Sequence, residues 1–576
     1  MRSYHNAVIQ KQRVPFVLVI FVLFFFLIVG RLVHLQIVRH SYYTKIASVQ
    51  HWIKDTIPAK RGKIFAKDSL GNTPYLLATN QTLSLVFAEP PKVEKKEEAV
   101  NFLAETLSMD KKDISEKLSQ KTQYVAIKHR LSKEEADKIA KKKLKGVGLS
   151  DEHWRYYPEG SLASSLLGFV NAEQVGNYGL EEYFNDELNG TPGTLKQEAD
   201  DKGIKIAFGN NVSKAPVDGE DLYLTIDRYI QGEAEKQLSE SVNKFGAAGG
   251  QVIVIDPATG AILAMANNPV FDPNKYDKIK QDNYAVFKNK AVVDTYEPGS
   301  VFKVITLASG LDANKILPET KFEDTGSINL NGYKIMNSDK KAHGMCTMTY
   351  VLENSLNTGS TWVQQKLGKD LFYDYVRKFG FGELSGIELP GEVSGRVYDP
   401  KELNDHGYAT MSFGQSISST PLQMLNSFAV IANGGKMMKP YVVEKITDNK
   451  KRNDQTQPKG VRRVISEKAA QDMTKMMVSV VENGHGYQAK VAGYKVAGKT
   501  GTAQVPKKEG GGYEASKNIG TFIGFAPADE PKFVVLAKID EPKGIPWAES
   551  SAAPIVGKML DYLLKYYQIP PTEKVK

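Results

Sequence analysis

An α+β fold, with one antiparallel sheet backed by helices, is predicted for the carboxy-terminal part of this 576-residue chain. Two observations carry the prediction: paired β-rich runs joined by tight turns stand near both ends of the segment, and helix-patterned stretches fill the interval. The first pair is GGQVIVIDPATGAILAMA, Gly249–Ala266, turning at Pro257–Gly260. The second is GTFIGFAPADEPKFVVLAKID, Gly520–Asp540, turning near Ala528–Pro531. Strands at the two ends of one domain meet in a single sheet when the helices between them pack on it.

A chain of this length exceeds one core, so further modules are expected before that domain. Val14–Gly30 is an uncharged apolar run that continues past Arg31 as LVHLQIV, long enough to span a bilayer. It lacks the short apolar core and small-residue cleavage site of a removed signal peptide. Arg2, Lys11 and Arg13 precede it, which favours a cytoplasmic amino terminus. The expected order is therefore a cytoplasmic segment at 1–13, a membrane signal anchor at 14–38, and an extracytoplasmic body.

Within that body, 39–217 alternates short apolar stretches with Lys- and Glu-rich helical segments. Ala99, Phe102, Leu103 and Leu107 recur at helical spacing, and Ser132 with Glu135 forms a capping box before another helix. No reaction centre is visible there, so a spacer or docking region that holds the second domain away from the membrane is predicted. A second domain is placed at 218–576, beginning with the strand-then-helix segment DGEDLYLTIDRYIQGEAEKQL, Asp218–Leu238.

The net charge of +9 is spread along the chain, and Lys141–Lys145 (KKKLK) reads as a solvated helix face rather than a nucleic-acid footprint. Cys346 is the single cysteine, which excludes an intrachain disulfide and a cysteine-rich zinc site and leaves it a small buried apolar role.

Chemistry is suggested by DTYEPGSVFKVITLASG, Asp294–Gly310. Val301, Phe302, Ile305 and Leu311 predict a helix with Ser300 at its cap position, and the spacing stacks Lys303 beside Ser300. A cation is poorly placed at the positive end of a helix. A neutral amine there would instead take the serine proton. Lowering a lysine by about three pKa units costs roughly 4 kcal/mol, within reach of burial and a second nearby cation, for which Lys499 and the helix dipole are candidates.

Two further motifs accompany it. Ser355-Leu356-Asn357 lies in ENSLNTGSTW at a loop-to-helix junction, and Lys499-Thr500-Gly501-Thr502 lies in KVAGKTGTAQV at the end of a short strand-like run. The same lysine completes GYKVAGKT, Gly493–Thr500, which fits the phosphate-loop pattern. That reading fails because the interior looks extended and the continuation GTAQVPKKEGGG cannot open a helix.

The three motifs, in this order and spacing, resemble those of penicillin-recognising serine enzymes. With RGKIFAKD, GLEEYFNDELNGTPG, YEPGSVFK, MSFGQSISSTPLQM, IANGG and FIGFAPADEPKFVV, they make the chain similar to class B penicillin-binding proteins, monofunctional membrane-anchored peptidoglycan D,D-transpeptidases. YEPGS and the threonine of Lys-Thr-Gly resemble division-type more than elongation-type members. The resemblance implies that Ser300 is the acylated nucleophile, Lys303 its base, Ser355 a proton shuttle to the departing amine, and Asn357 a holder of Lys303 and the substrate amide. Backbone N–H groups of Ser300 and Thr502 would form an oxyanion hole. Lys499, Thr500 and the Thr502 hydroxyl would meet the terminal D-alanine carboxylate, while Gly501 would let substrate approach.

The resemblance further implies D-alanyl-D-alanine stem peptides as substrate, acylation by β-lactams, and no metal or organic cofactor. It places a single-pass protein in the bacterial cytoplasmic membrane, with 39–217 as an elongated non-catalytic α+β pedestal of dimerisation type, working with a glycan polymerase and divisome or elongasome proteins; nothing between the anchor and residue 217 resembles a glycosyltransferase. Two alternatives stay open. One is a β-lactamase or β-lactam sensor of the same fold, which needs a glutamate-activated water and has only DPKELN, Asp399–Asn404, as a candidate loop. The other is a catalytically inactive divisome scaffold.

Overall fold

The computed structural model describes residues 2–44, 52–69, 71, 73–198, 211–448, 453–507, 512–545 and 547–573. The chain divides into two compact units, one formed by 1–60 with 190–218 and the other by 61–189 with 219–576.

In the first unit the helix Arg2–Val33 leads into a π-helical stretch at His34–Val38. Residues Pro15–Val38 have a mean hydropathy of 3.0, and this is the one described helix long and apolar enough to cross a membrane. The unit also contains a three-stranded antiparallel sheet, with Gly193–Glu198 between Trp52–Ile57 and Asn211–Lys214.

The second unit holds two large sheets. In the first, the long strand Tyr75–Ala88 pairs antiparallel with Val147–Tyr156, Val125–Leu131 and Ile64–Lys67. Ile64–Lys67 then lies parallel to Asp221–Asp227, which pairs with Val443–Thr447. One sheet thus joins segments on both sides of the expected boundary at 217/218. The helices Lys96–Leu107, Lys111–Leu118 and Lys133–Lys142 bury Ala99, Leu103, Leu107, Ile114 and Ile139 in a small core of their own. Ser132 and Glu135 form the capping box read from the sequence, with the Glu135 N–H 3.2 Å from Ser132 Oγ and the Ser132 N–H 2.8 Å from Glu135 Oε2.

Glu181 links these strands. Its two carboxylate oxygens accept from Arg61 Nε at 2.7 Å and Arg155 Nε at 2.6 Å, and all three side chains are buried. Burial pushes the Glu181 carboxyl up, but Arg155 and then Arg61 outweigh it and hold the group below the ordinary carboxylate range.

The second sheet comprises β1 (Gly249–Ile255), β2 (Ile262–Asn268), β3 (Ala497–Pro506), β4 (Tyr513–Ala526) and β5 (Phe533–Asp540), antiparallel throughout in the order β2-β1-β5-β4-β3. The two hairpins read from the sequence are therefore joined along β1 and β5, with Gly250 opposite Ile539 and Ile255 opposite Val534. Alternation along these strands feeds two cores. Val252, Val254, Val535 and Phe522 face the helices Arg228–Phe245 and Ala553–Tyr566, whereas Ile253, Ile255, Leu536 and Ile523 belong to the core of Lys303–Asp312 and Pro421–Ala432. Helices on both faces explain why the strands read as continuous apolar runs. Cys346 is buried, and Lys141, Lys142, Lys143 and Lys145 are exposed.

Candidate active site

Ser300 is not the cap residue that its sequence position suggested. It lies inside a 3-10 turn, Gly299–Phe302, capped by Pro298, and the α-helix proper is Lys303–Asp312. The 3-10 turn sets Ser300 just before the first residue of that α-helix, Lys303. It also places Lys303 at the start of a helix buried on every side, where its side chain has 0% exposure.

Ser355 completes the junction between the helices Met348–Glu353 and Asn357–Leu367. Its left-handed backbone, φ +56°, brings both its carbonyl oxygen and its hydroxyl to Lys303, whose Nζ donates to the carbonyl and lies 3.2 Å from Oγ. The same hydroxyl lies 3.1 Å from Lys499 Nζ, so Ser355 bridges two buried amines. Lys499 also donates to the Thr500 carbonyl and Oγ1 at 3.1 and 3.2 Å.

Burial, and then the neighbouring Lys499, hold the Lys303 amine well below the ordinary lysine range. Burial also lowers Lys499, to about 7, against the opposing pull of Glu549. One amine is thereby prepared to act as a base while the other stays close to the point where it gains or loses its charge.

The Lys-Thr-Gly segment lies within β3, an edge strand that runs on to Pro506, rather than at the end of a run. Continuous strand through Lys499 also removes the phosphate-loop reading, which needs a helix to open there. For Gly501, expected to clear space for substrate, the structure gives a packing reason. A Cβ at 501 would meet Val301 Cγ1 at 2.9 Å and the Pro298 carbonyl at 3.0 Å, so the glycine lets β3 lie against the Ser300 turn. Gly414, with φ +82°, closes the other side, accepting the Gly299 N–H at 3.0 Å. Thr502 Oγ1 accepts the Ala548 N–H at 3.1 Å, leaving its own proton to donate.

Asn357 reaches the cleft, but its Nδ2 donates to the Met336 carbonyl at 2.9 Å. The contact with Lys303 expected of Asn357 is made by Ser355 instead. Beneath it, Thr358 Oγ1 and Asn337 Nδ2 donate to the buried Asp324 carboxylate at 2.8 and 2.7 Å, tying this helix start to the Met336 strand. Sequence reasoning missed Asp324, which carries no motif. It also passed over Glu297, which accepts from Ser416 N and Tyr513 Oη at 2.9 and 2.8 Å and fastens the segment before Ser300.

Ser300 lines two cavities. The larger, about 680 Å³, follows β3 past Thr502, Ala503 and Gln504 and includes Asn357 and Glu297. The smaller, about 280 Å³, is walled by Ser355, Thr500 and Thr502. Asp399, Lys401 and Glu402 of DPKELN are exposed, and none of that segment lines either cavity. Among the described residues no cluster of three His, Cys, Asp or Glu side chains is arranged to hold a metal.

A serine hydroxyl between two lowered lysines, beside the edge of a helix-flanked antiparallel sheet, defines a serine–lysine acyl-transfer architecture. The chain belongs to the penicillin-binding protein transpeptidase family: the penicillin binding protein transpeptidase domain matches residues 250–561 and the penicillin-binding protein dimerisation domain residues 56–224. Stage V sporulation protein D of Bacillus subtilis (strain 168) is 35% identical over 563 residues, spanning 96% of this chain and 86% of that protein. Peptidoglycan D,D-transpeptidase FtsI of Buchnera aphidicola subsp. Schizaphis graminum is 31% identical and spans 96% and 95%. Penicillin binding protein 3 from Mycobacterium tuberculosis, solved with aztreonam, superposes with a TM-score of 0.70 at 27% identity, covering 90% of this chain and 99% of that one.

Proposed function

We propose that this chain is a serine-type D-Ala-D-Ala transpeptidase that cross-links peptidoglycan stem peptides and is acylated by β-lactams. The observation that carries the reading is the pair of buried amines meeting Ser355 in the cleft that contains Ser300. Ser300 Oγ attacks the penultimate D-alanine carbonyl and its proton passes to Lys303. Ser300 and Thr502 N–H groups stabilise the oxyanion. Lys499, Thr500 and the Thr502 hydroxyl hold the terminal carboxylate, and Ser355 hands a proton to the departing D-alanine. An amine from a second stem then resolves the Ser300 ester. Asn357 and Gly501 shape the cleft, Asn357 through the Met336 carbonyl and Gly501 through the close packing of β3.

Residues 14–38 anchor the protein in the cytoplasmic membrane of a bacterium, 39–217 form a non-catalytic pedestal, and 218–576 carry the chemistry on the extracytoplasmic side. Stage V sporulation protein D and FtsI among the relatives support a division-type role; a glycan polymerase beside the chain is implied by the family resemblance alone.

A fluorescent penicillin is expected to label the wild-type protein stably, and Ser300→Ala to abolish the label. Equal labelling of the variant would refute the assignment, rapid release of hydrolysed penicillin would favour a β-lactamase, and no labelling of the wild type a scaffold. The kcat/KM for a D-Ala-D-Ala donor should be bell-shaped in pH. The acid limb marks protonation of Lys303, and the alkaline limb, near pH 7, the loss of charge on Lys499. A donor with its terminal carboxylate amidated should lack the alkaline limb; a profile identical for both donors would remove Lys499 from carboxylate recognition.

A further inference from the structure

We propose that the smaller cavity beside Ser300 is the subsite for the acceptor amine, and that the His485–Glu549 couple, which lines it together with the His343–Asp339 couple, selects a cationic acceptor there. The proposal rests on the acyl-transfer reading of Ser300 and adds to it the residues that choose the second substrate.

Three observations support it. Ser300 lines both cavities, but Ser355 and Thr500, the groups that handle the departing amine and its carboxylate, line only the smaller. By microscopic reversibility, an amine that attacks the acyl carbon enters along the path by which the first amine left. The acceptor therefore occupies this cavity once D-alanine has gone.

The rest of its wall is unsuited to D-alanine's carboxylate alone. His485 Nδ1 lies 3.0 Å from Glu549 Oε2, and His343 Nε2 lies 2.9 Å from Asp339 Oδ2; all four residues line the cavity. The wall thus presents two carboxylates, Glu549 and Asp339, a lining that attracts an ammonium group and disfavours a second anion. Ordinary surface ion pairing would not require both couples to face the cavity that contains Ser300.

The two imidazoles also differ. His343 is engaged at both nitrogens, with Nδ1 3.3 Å from Tyr350 Oη. His485 uses Nδ1 on Glu549, and its Nε2 has no hydrogen-bond partner among the described residues. With Nδ1–H donated to Glu549, Nε2 presents a lone pair to the incoming ammonium. The ammonium gives one proton to His485 and thence to solvent. The neutral amine then forms the new amide C–N bond as the Ser300 ester C–O bond breaks, and one proton from the amine nitrogen returns to the Ser300 oxygen through Ser355.

The test is the partition of one acyl-enzyme. The full chain is acylated with benzoyl-D-alanyl thioglycolate, and the ratio of aminolysis to hydrolysis is measured with D-alaninamide, a cationic acceptor, and with hydroxylamine, which is neutral at neutral pH. Because the ratio is internal to the acyl-enzyme, any change in the rate of acylation cancels. Glu549→Gln and His485→Gln are each expected to lower the D-alaninamide ratio about tenfold, the value of one charge-assisted contact, while the hydroxylamine ratio changes little. An unchanged D-alaninamide ratio in both variants, or an equal fall with both acceptors, would overturn the proposal. Failure of the wild type to form any Ser300 ester would instead overturn the transferase reading itself.

Discussion

Lys303→Met is expected to slow penicillin acylation of Ser300 by about 10³–10⁴-fold, the scale of a lost general base, and at the same time to raise the thermal midpoint of the protein. The two effects share one cause. The folded chain keeps this amine buried and well below the ordinary lysine range, whereas the unfolded chain holds it charged in water. At neutral pH the unfolded state therefore binds more protons, so this part of the site opposes folding there, and its cost shrinks as pH rises toward the ordinary lysine value. For Lys499, lowered to about 7, the corresponding cost at neutral pH is about 4 kcal/mol. Methionine removes the charge at Lys303, keeps an unbranched chain of similar length, and leaves Ser355 accessible to water. Time courses of fluorescent-penicillin labelling and thermal melts of the same preparations test both parts. A variant that labels at the wild-type rate, or one that melts lower, would contradict the assignment of a strained catalytic amine.

The same physics explains what the sequence disclosed and what it concealed. The hairpins at Gly249–Ala266 and Gly520–Asp540 were legible because turn residues interrupt apolar runs, and their pairing along β1 and β5 follows from placing both in one sheet. The spacing of Ser300 and Lys303 pointed to one helix start, and the structure buries Lys303 there against Ser355. The 3-10 turn was not legible, because its shape depends on β3 and the Gly414 loop packed on either side of it. At Gly501 the motif points to a place with no room for a side chain, but the atoms that a Cβ would meet are those of Pro298 and Val301, distant in sequence. Asn357 was assigned its contact from resemblance, while the strand ending at Met336, which takes its amide proton, bears no motif. Long-range partners decide each of these details, and no periodicity encodes them.

Glu181→Gln is expected to destabilise the second compact unit by about 3–5 kcal/mol, the cost of leaving a buried charge unpaired. RGKIFAKD and GLEEYFNDELNGTPG stood in the sequence only as separate marks of resemblance, but they supply Arg61 and Glu181, which meet across the fold. Arg155 joins from Val147–Tyr156 and donates through Nη1 to the Gly62 carbonyl at 2.6 Å, while its Nη2 is buried without a partner among the described residues. One carboxylate thus answers two guanidiniums, and glutamine would leave both without a counter-charge. Because Glu181 is held below the ordinary carboxylate range, its contribution is present above that range and is lost as pH falls through its folded value. Urea midpoints at neutral and acid pH should show a wild-type-to-variant gap that narrows under acid. A further comparison separates stability from specificity: replacing Arg61, Arg155 and Glu181 together by Met, Met and Leu should cost much less than Glu181→Gln, since a packed apolar trio has no charge to desolvate. If the triple variant is as unstable as the single one, the cluster acts through shape and not through charge.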